Sequence, residues 1–289
     1  MDSEQSHRSD DDVDRDEARS RATMTREESE DVEERSSPRS PVIYEVVRRH
    51  GEEEMARPIV SLWWSGFAAG LSISFSLLAQ ALLTIHLPDA AWRPLVASFG
   101  YSVGFLMVVL ARQQLFTENT ITIVLPVMAQ PTAASAGRLA RVWAVVLAAN
   151  LTGTLFAAGF CTLTPVIDAE LLTAMLDIGR HMMENAWAAM FFKGIAAGFL
   201  IAAMVWLIPS AGGAQFHVIT LMTWLIALGG FTHVIAGSME AFLLMMHGDL
   251  GVVEGLARFL LPVLLGNVIG GTALFALIAY AQVMKELEP

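Results

Sequence analysis

The chain has 289 residues, 54% of them hydrophobic, and a mean hydropathy of +0.52, which is too apolar for an ordinary soluble domain. The net charge of −11 is concentrated at one end. Residues 1–57 hold 10 Arg against 18 Asp/Glu, a local charge of −8, while the remaining 232 residues carry only −3. One cysteine, Cys161, excludes an intrachain disulfide; no zinc or haem spacing occurs, and the acidic balance gives no reason to invoke nucleic acid.

Residues 1–40 are Ser, Arg, Asp and Glu with almost no apolar content, and a segment that cannot bury surface is expected to be a disordered acidic tail. It lacks the basic and apolar regions of a signal peptide, so membrane targeting is expected to come from the first hydrophobic span. In residues 41–57, Ile43, Val46 and Val47 share one face of a short amphipathic helix. That helix is expected to lie on the membrane, plug a cytoplasmic mouth, or serve as a packing arm at a subunit contact. Residues 58–289 form the expected transmembrane domain.

Stretches of about 20 apolar residues cross a bilayer as helices. The pattern predicts six, near 61–83, 96–128, 139–163, 186–208, 217–246 and 259–283. The second and fifth are too long for single straight crossings and are interrupted, near 113–118 and 229–233. Each is expected to be two half-helices joined by a non-helical loop, which membranes tolerate only where it is buried in protein or lines a cavity. Arg48, Arg49 and Arg57 precede the first span, Arg138 and Arg141 follow the second, and Lys285 follows the sixth. The loop after the third span is acidic. By the positive-inside rule both termini are cytoplasmic.

The two halves repeat. Gly66-Phe67-Ala68-Ala69-Gly70 recurs as Gly194-Ile195-Ala196-Ala197-Gly198, and Asn150-Leu151-Thr152-Gly153 recurs as Asn267-Val268-Ile269-Gly270. Phe116-Thr117 in the second span matches Phe231-Thr232 in the fifth. Three spans per repeat is an odd number, so the halves must enter the membrane in opposite senses. Paired interrupted spans in such a plan point to a transport site near the bilayer midplane.

His233 is the ionisable group in that position, and such a residue inside a span is costly and usually functional. A neutral imidazole can donate a hydrogen bond to an anion or give it a proton, and a weak acid crossing in its neutral form avoids most of the desolvation penalty. Thr117 and Thr232 supply hydroxyls at the two breaks. Asn150 and Asn267 have two roles open: hydrogen-bonding the broken-helix loops, or presenting an amide to a passing anion. Leu115 and Phe116 beside Thr117 suit a narrow gate. Tyr101 and Phe105, four apart on one helix face, are either a constriction or ordinary core. Ile226 lies seven before His233. No nucleophile, base and orienting group converge, so no enzyme is expected, and no cofactor is implied.

Leu115-Phe116-Thr117, Gly230-Phe231-Thr232-His233 and Pro262 to Gly271 together resemble the formate/nitrite transporter family over roughly residues 42–283. The chain is most similar to an inner-membrane branch that shares the acidic N-terminal tail. The resemblance implies an all-α, aquaporin-like protomer with six helices in two inverted three-helix repeats, the second and fifth broken. It implies a homopentamer in a bacterial inner membrane, each protomer holding a pore for a small monovalent anion such as formate, nitrite or hydrosulfide, passed alone or together with protons. The family's central histidine falls on His233, its loop threonine on Thr117, its pore asparagine on Asn150 and its apolar constrictions on Leu115, Tyr101, Phe105 and Ile226. Many transporting members have Glu immediately before the histidine, where Thr232 stands here. Some place a Lys near the start of the third span, where this chain has only Arg138 and Arg141. A neutral-solute pore and a non-transporting scaffold or sensor that uses its tail are the alternative readings.

Overall fold

In the computed structural model the described residues are 38–286 together with Thr25, Glu28, Val32 and Ser36. The expectation for the acidic tail thus lies largely outside the described residues. The described chain is built of helices, and its residues from Ser40 onward form one compact unit.

Helix α1, Ser40–Ala56, has Pro41 in its first turn, where a missing N–H costs nothing. Tyr44, Val47, Gly51 and Met55 form its buried stripe. Gly51 is required, because a Cβ there would collide with the carbonyl of Thr122. Helix α2, Ile59–His86, follows Pro58. Helix α3, Arg93–Leu110, passes through a 3-10 turn at Ser98–Tyr101, and α4 covers Phe116–Ala129. Helix α5, Ala133–Leu163, opens on a capping box between Thr132 and Ser135. Helix α7 is Trp187–Ser210, α8 Gln215–Leu228, α9 Ala236–His247 and α10 Val252–Val283.

The acidic segment after the third span is more ordered than its charges suggested. It forms helix α6, Ala169–Met183, capped by the Asp168 side chain on the Leu171 N–H at 2.8 Å. Its Leu171, Met175, Leu176 and Gly179 are buried, while Asp177 and Arg180 face out and pair with each other.

Five helices, α2, α3, α5, α7 and α10, are long and apolar enough to cross a membrane. The fifth expected span contains no single helix of that length; it is the pair α8 and α9. Several helices also run beyond their apolar stretch. Helix α5 begins six residues before Leu139 and carries Arg138 and Arg141, and α10 begins before Phe259 and carries Arg258. Hydropathy marks the depth of hydrocarbon, whereas backbone hydrogen bonding continues into the polar zone until a cap or proline stops it. Large apolar side chains stand exposed on the outside, among them Trp64, Phe156 and Phe192, as expected for a surface that meets lipid or neighbouring subunits.

Helices α2 and α5 cross closely, as do α7 and α10. A Cβ on Gly70 would strike the backbone of Asn150, and one on Gly198 would strike the backbone of Asn267. Small residues at these crossings bring two asparagines up against the helix breaks.

Candidate functional site

The two breaks are closed by the same hydrogen bonds. At the end of α3, the Arg112 N–H donates to Val109 O and the Gln113 N–H to Val108 O. At the end of α8, the Gly230 N–H donates to Ala227 O and the Phe231 N–H to Ile226 O. Both are Schellman ends, which place one residue in the left-handed region. Those residues are Arg112, φ 51°, and Gly230, φ 58°.

Beyond each break an asparagine side chain holds the loop. The Phe116 N–H donates to Asn150 Oδ1 at 2.9 Å, and Asn150 Nδ2 donates to the carbonyls of Gln114 and Gly66, each at 2.8 Å. The Val234 N–H donates to Asn267 Oδ1 at 2.8 Å, and Asn267 Nδ2 donates to the carbonyls of Gly194 and Thr232 at 2.8 and 2.9 Å. Both amides are fully occupied by backbone, which leaves no amide hydrogen for an anion.

These bonds correct the register read from sequence. They pair Gln114 with Thr232, Leu115 with His233 and Phe116 with Val234, three residues away from the Phe-Thr match. The dipeptide recurs, but at different points of the two breaks. The break limits shift as well. The first loop is 111–115, with Phe116 and Thr117 already in α4, and the second is 229–235.

At the centre, Thr117 Oγ1 lies 2.7 Å from His233 Nε2, both side chains buried. The Ala236 N–H donates to His233 Nδ1 at 3.1 Å. In the neutral ring, hydrogen-bond logic therefore places the proton on Nε2, which donates to the Thr117 hydroxyl. The ring of Phe105 meets His233 edge-on at 5.1 Å, and Tyr101 lies against Phe105 at 5.2 Å. Leu115 and Ile226 are fully buried. Phe116 turns aside to pack on Trp143 at 5.7 Å, and the Thr232 hydroxyl is bound by Met190 O at 2.8 Å. Thr117, His233 and Phe105 thus form the contact; Phe116 and Thr232 support the loops around it.

Two cavities approach this contact. A wide one of about 710 Å³ is lined by α1 and the first break, including His50, Glu54, Arg57, Arg112 and Gln114. A narrow one of about 120 Å³ is lined by Gln80, Tyr101, Lys193, Thr232, His233 and Glu240. Helix α7 runs from Lys193 in the narrow cavity to Met204 in the wide one, roughly 16 Å of helix. Helix α3 runs likewise from Tyr101 to Leu110, and α8 from Ala227 back to Gln215. The cavities therefore lie at opposite ends of three helices, with Phe105, Thr117 and His233 between.

Sequence reading missed the charged residues of these cavities. Lys193 sits near the start of the fourth expected span and donates to Asn185 Oδ1 at 2.7 Å. Glu240 is buried on α9 and faces the narrow cavity. Each is a lone charge within an apolar run, the same signal that marked His233. Glu54 had no such signal, because it belongs to an acidic run before the first span. Its carboxylate accepts from Thr122 Oγ1 at 2.6 Å and from Gln114 Nε2 and Asn119 Nδ2, both at 3.1 Å. Burial pushes this carboxyl above its usual range, against the opposing pull of the Thr122 and Gln114 donors and of His50 and Arg57.

Long apolar helices, two of them interrupted at a shared buried contact between opposed cavities, define a multi-pass membrane channel or transporter. A profile of the formate/nitrite transporter family matches residues 41–281, and the chain belongs to that family. It is 42% identical over 255 residues to the inner membrane protein YfdC of Escherichia coli, covering 88% of this chain and 82% of that one. It is 26% identical to the formate channel FocA of Haemophilus influenzae, covering 74% and 84% of the two chains. A pentameric formate channel with formate bound shares its fold at a TM-score of 0.66, with 22% identity, 78% of this chain and 98% of that one. A second channel of the same family reaches a TM-score of 0.72 at 23% identity, covering 83% and 98%. Members of this family are channels and transporters, not enzymes.

Proposed function

We propose that each protomer passes small monovalent anions of the formate/nitrite kind between the two cavities by way of Thr117 and His233. The observation that carries this reading is the Thr117–His233 hydrogen bond, buried against Phe105 and standing between the cavities. An anion reaching that point loses its hydration, and a bare charge is costly there. Nε2–H and the Thr117 hydroxyl are the donors that meet it, and a proton taken up with it from the aqueous cavity lets it cross the apolar contacts of Phe105, Leu115 and Ile226 as a neutral acid. Tyr101 narrows the approach. Asn150, Asn267 and Thr232 act by fixing the loops. Thr232 in place of an acidic residue leaves no charge beside the histidine to repel the anion.

We further infer six crossings in two oppositely inserted halves, supported by the paired hydrogen bonds at the breaks. The assembly is a homopentamer in a bacterial inner membrane with both termini in the cytoplasm, in keeping with the relatives named above and with the basic flanks of the spans. Residues 1–40 are the cytoplasmic tail, 41–57 a helix at the wide mouth and 58–289 the transmembrane domain.

Uptake of formate, nitrite, acetate and hydrosulfide into proteoliposomes tests this at pH values from about 5 to 8. Saturable flux of at least one anion in wild type, reduced or altered in its pH response by His233→Ala, is the expected result. Well-folded protein without flux of any of them overturns it.

A further inference from the structure

The two Schellman ends differ at the residue that must turn left-handed. Gly230 takes φ 58° freely, but Arg112 takes φ 51° with a full side chain, the one non-glycine at positive φ among the described residues. The steric cost of that conformation disappears with glycine, and glycine is what the second break uses. A retained strain of this kind points from the outlier to a function for the side chain.

The surroundings say what that function is. Arg112 is exposed in the wide cavity, three residues before Leu115. Its guanidinium forms no hydrogen bond or ion pair among the described residues, so the five side-chain N–H donors are free. The cavity also contains Glu53, Glu54, Glu118, His50 and Arg57, but the Glu54 carboxylate is already held by Thr122, Gln114 and Asn119. The opposite cavity has a cation at the corresponding point. A Cβ built on Gly230 would lie 3.7 Å from Lys193 Nζ. Each break thus presents one cation at its left-handed residue: the second borrows Lys193, and the first carries its own.

We infer that Arg112 is the anion-receiving residue of the wide cavity, selective for planar anions with two oxygens. The inference rests on the anion-transport reading and deepens it. A guanidinium presents two parallel N–H groups that match a carboxylate or nitrite edge, whereas an ammonium is a point charge. Arginine here should therefore favour formate and nitrite over hydrosulfide, and do so on one side of the membrane.

The experiment compares wild type, Arg112→Gly and Arg112→Lys in proteoliposomes of one orientation, with anion supplied at the wide cavity. Arg112→Gly keeps the turn and relieves its strain, so thermal stability should be unchanged or higher. The KM for formate and nitrite should rise about three- to tenfold, with the maximal rate little changed. Arg112→Lys should leave hydrosulfide affinity at the wild-type level without restoring that for formate. An unchanged formate KM in Arg112→Gly overturns the inference while leaving anion transport standing; the arginine then only caps α3. If wild type carries no anion, the transport reading fails by itself. Thermal shift with formate then decides: stabilisation lost in Arg112→Gly supports the anion site, and no formate effect in wild type overturns it.

Discussion

Leu115 in the first break and His233 in the second stand at equivalent points, each flanked by backbone groups bound to one asparagine amide. Around that shared frame the two breaks diverge. The first has an arginine in the left-handed position and is tied from outside by Glu54 of α1. The second has a glycine there and is tied from within, by the Thr232 hydroxyl donating to Met190 O of α7 and by the Ala236 N–H on the imidazole. Equivalent backbones therefore present an aliphatic wall from one side and a titratable ring from the other. A pair of loops held by identical bonds can vary their central side chains without changing where those side chains point, and that is how one scaffold positions a histidine against a threonine.

The comparison can be broken most forcefully at the asparagines. Asn150→Ala and Asn267→Ala each strip partners from one buried N–H and two buried carbonyls, an expected loss of about 3 kcal/mol or more. Thermal unfolding in detergent measures it. Equal losses mean that the amides carry both breaks; a markedly smaller loss for Asn150 means that Glu54 holds the first break independently.

A smaller effect is expected at the helix crossings. Gly70→Ala and Gly198→Ala press a methyl group against the backbone of Asn150 and Asn267, at a cost of about 1–3 kcal/mol each. Because each shift moves its asparagine, Gly198→Ala should also alter the pH response of transport, through Val234 and its neighbour His233. Gly70→Ala should not. Flux profiles that change equally in both variants would show that the histidine's position depends on the two crossings together.

The smallest effect separates the breaks by pH. Glu54 has its folded pKa raised, chiefly by burial, so the stability it adds is present at acid pH and falls away as pH rises past the usual carboxylate range. Melting temperature should decline with pH in wild type and decline less steeply in Glu54→Gln. A variant at the second break has no counterpart to Glu54 and should leave that slope in place. A slope of the opposite sign would mean that the Thr122, Gln114 and Asn119 donors outweigh burial.

Much of this was legible in the residues. Apolar run lengths marked the five helices long enough to cross a membrane, because hydrocarbon thickness fixes how many helical residues must be apolar. The overlong second and fifth runs gave the breaks, and His233 stood out as a lone ionisable group inside one of them. The fourth span's Lys193 and the fifth span's Glu240 carried the same signal and were passed over, since no pattern in the chain links them to the histidine. Helix α6 hid behind its charges, although Asp168 and the spacing of Leu171, Met175 and Gly179 announced it.

What the sequence by itself determined was local: where helices must be apolar, where glycine and small residues permit close crossings, and which polar groups hydrocarbon would not tolerate without a purpose. Register between the halves was decided only by tertiary structure. The recurring Phe-Thr pair placed the match three residues away from the one that the Asn150 and Asn267 bonds define, because a repeated dipeptide records composition while a hydrogen bond records position. The meeting of Thr117 with His233, the turning of Phe116 toward Trp143 and the reach of Glu54 to the first break belong to the same class. Each joins residues far apart in the chain, and nothing in the spacing along one helix fixes how a second helix will face it.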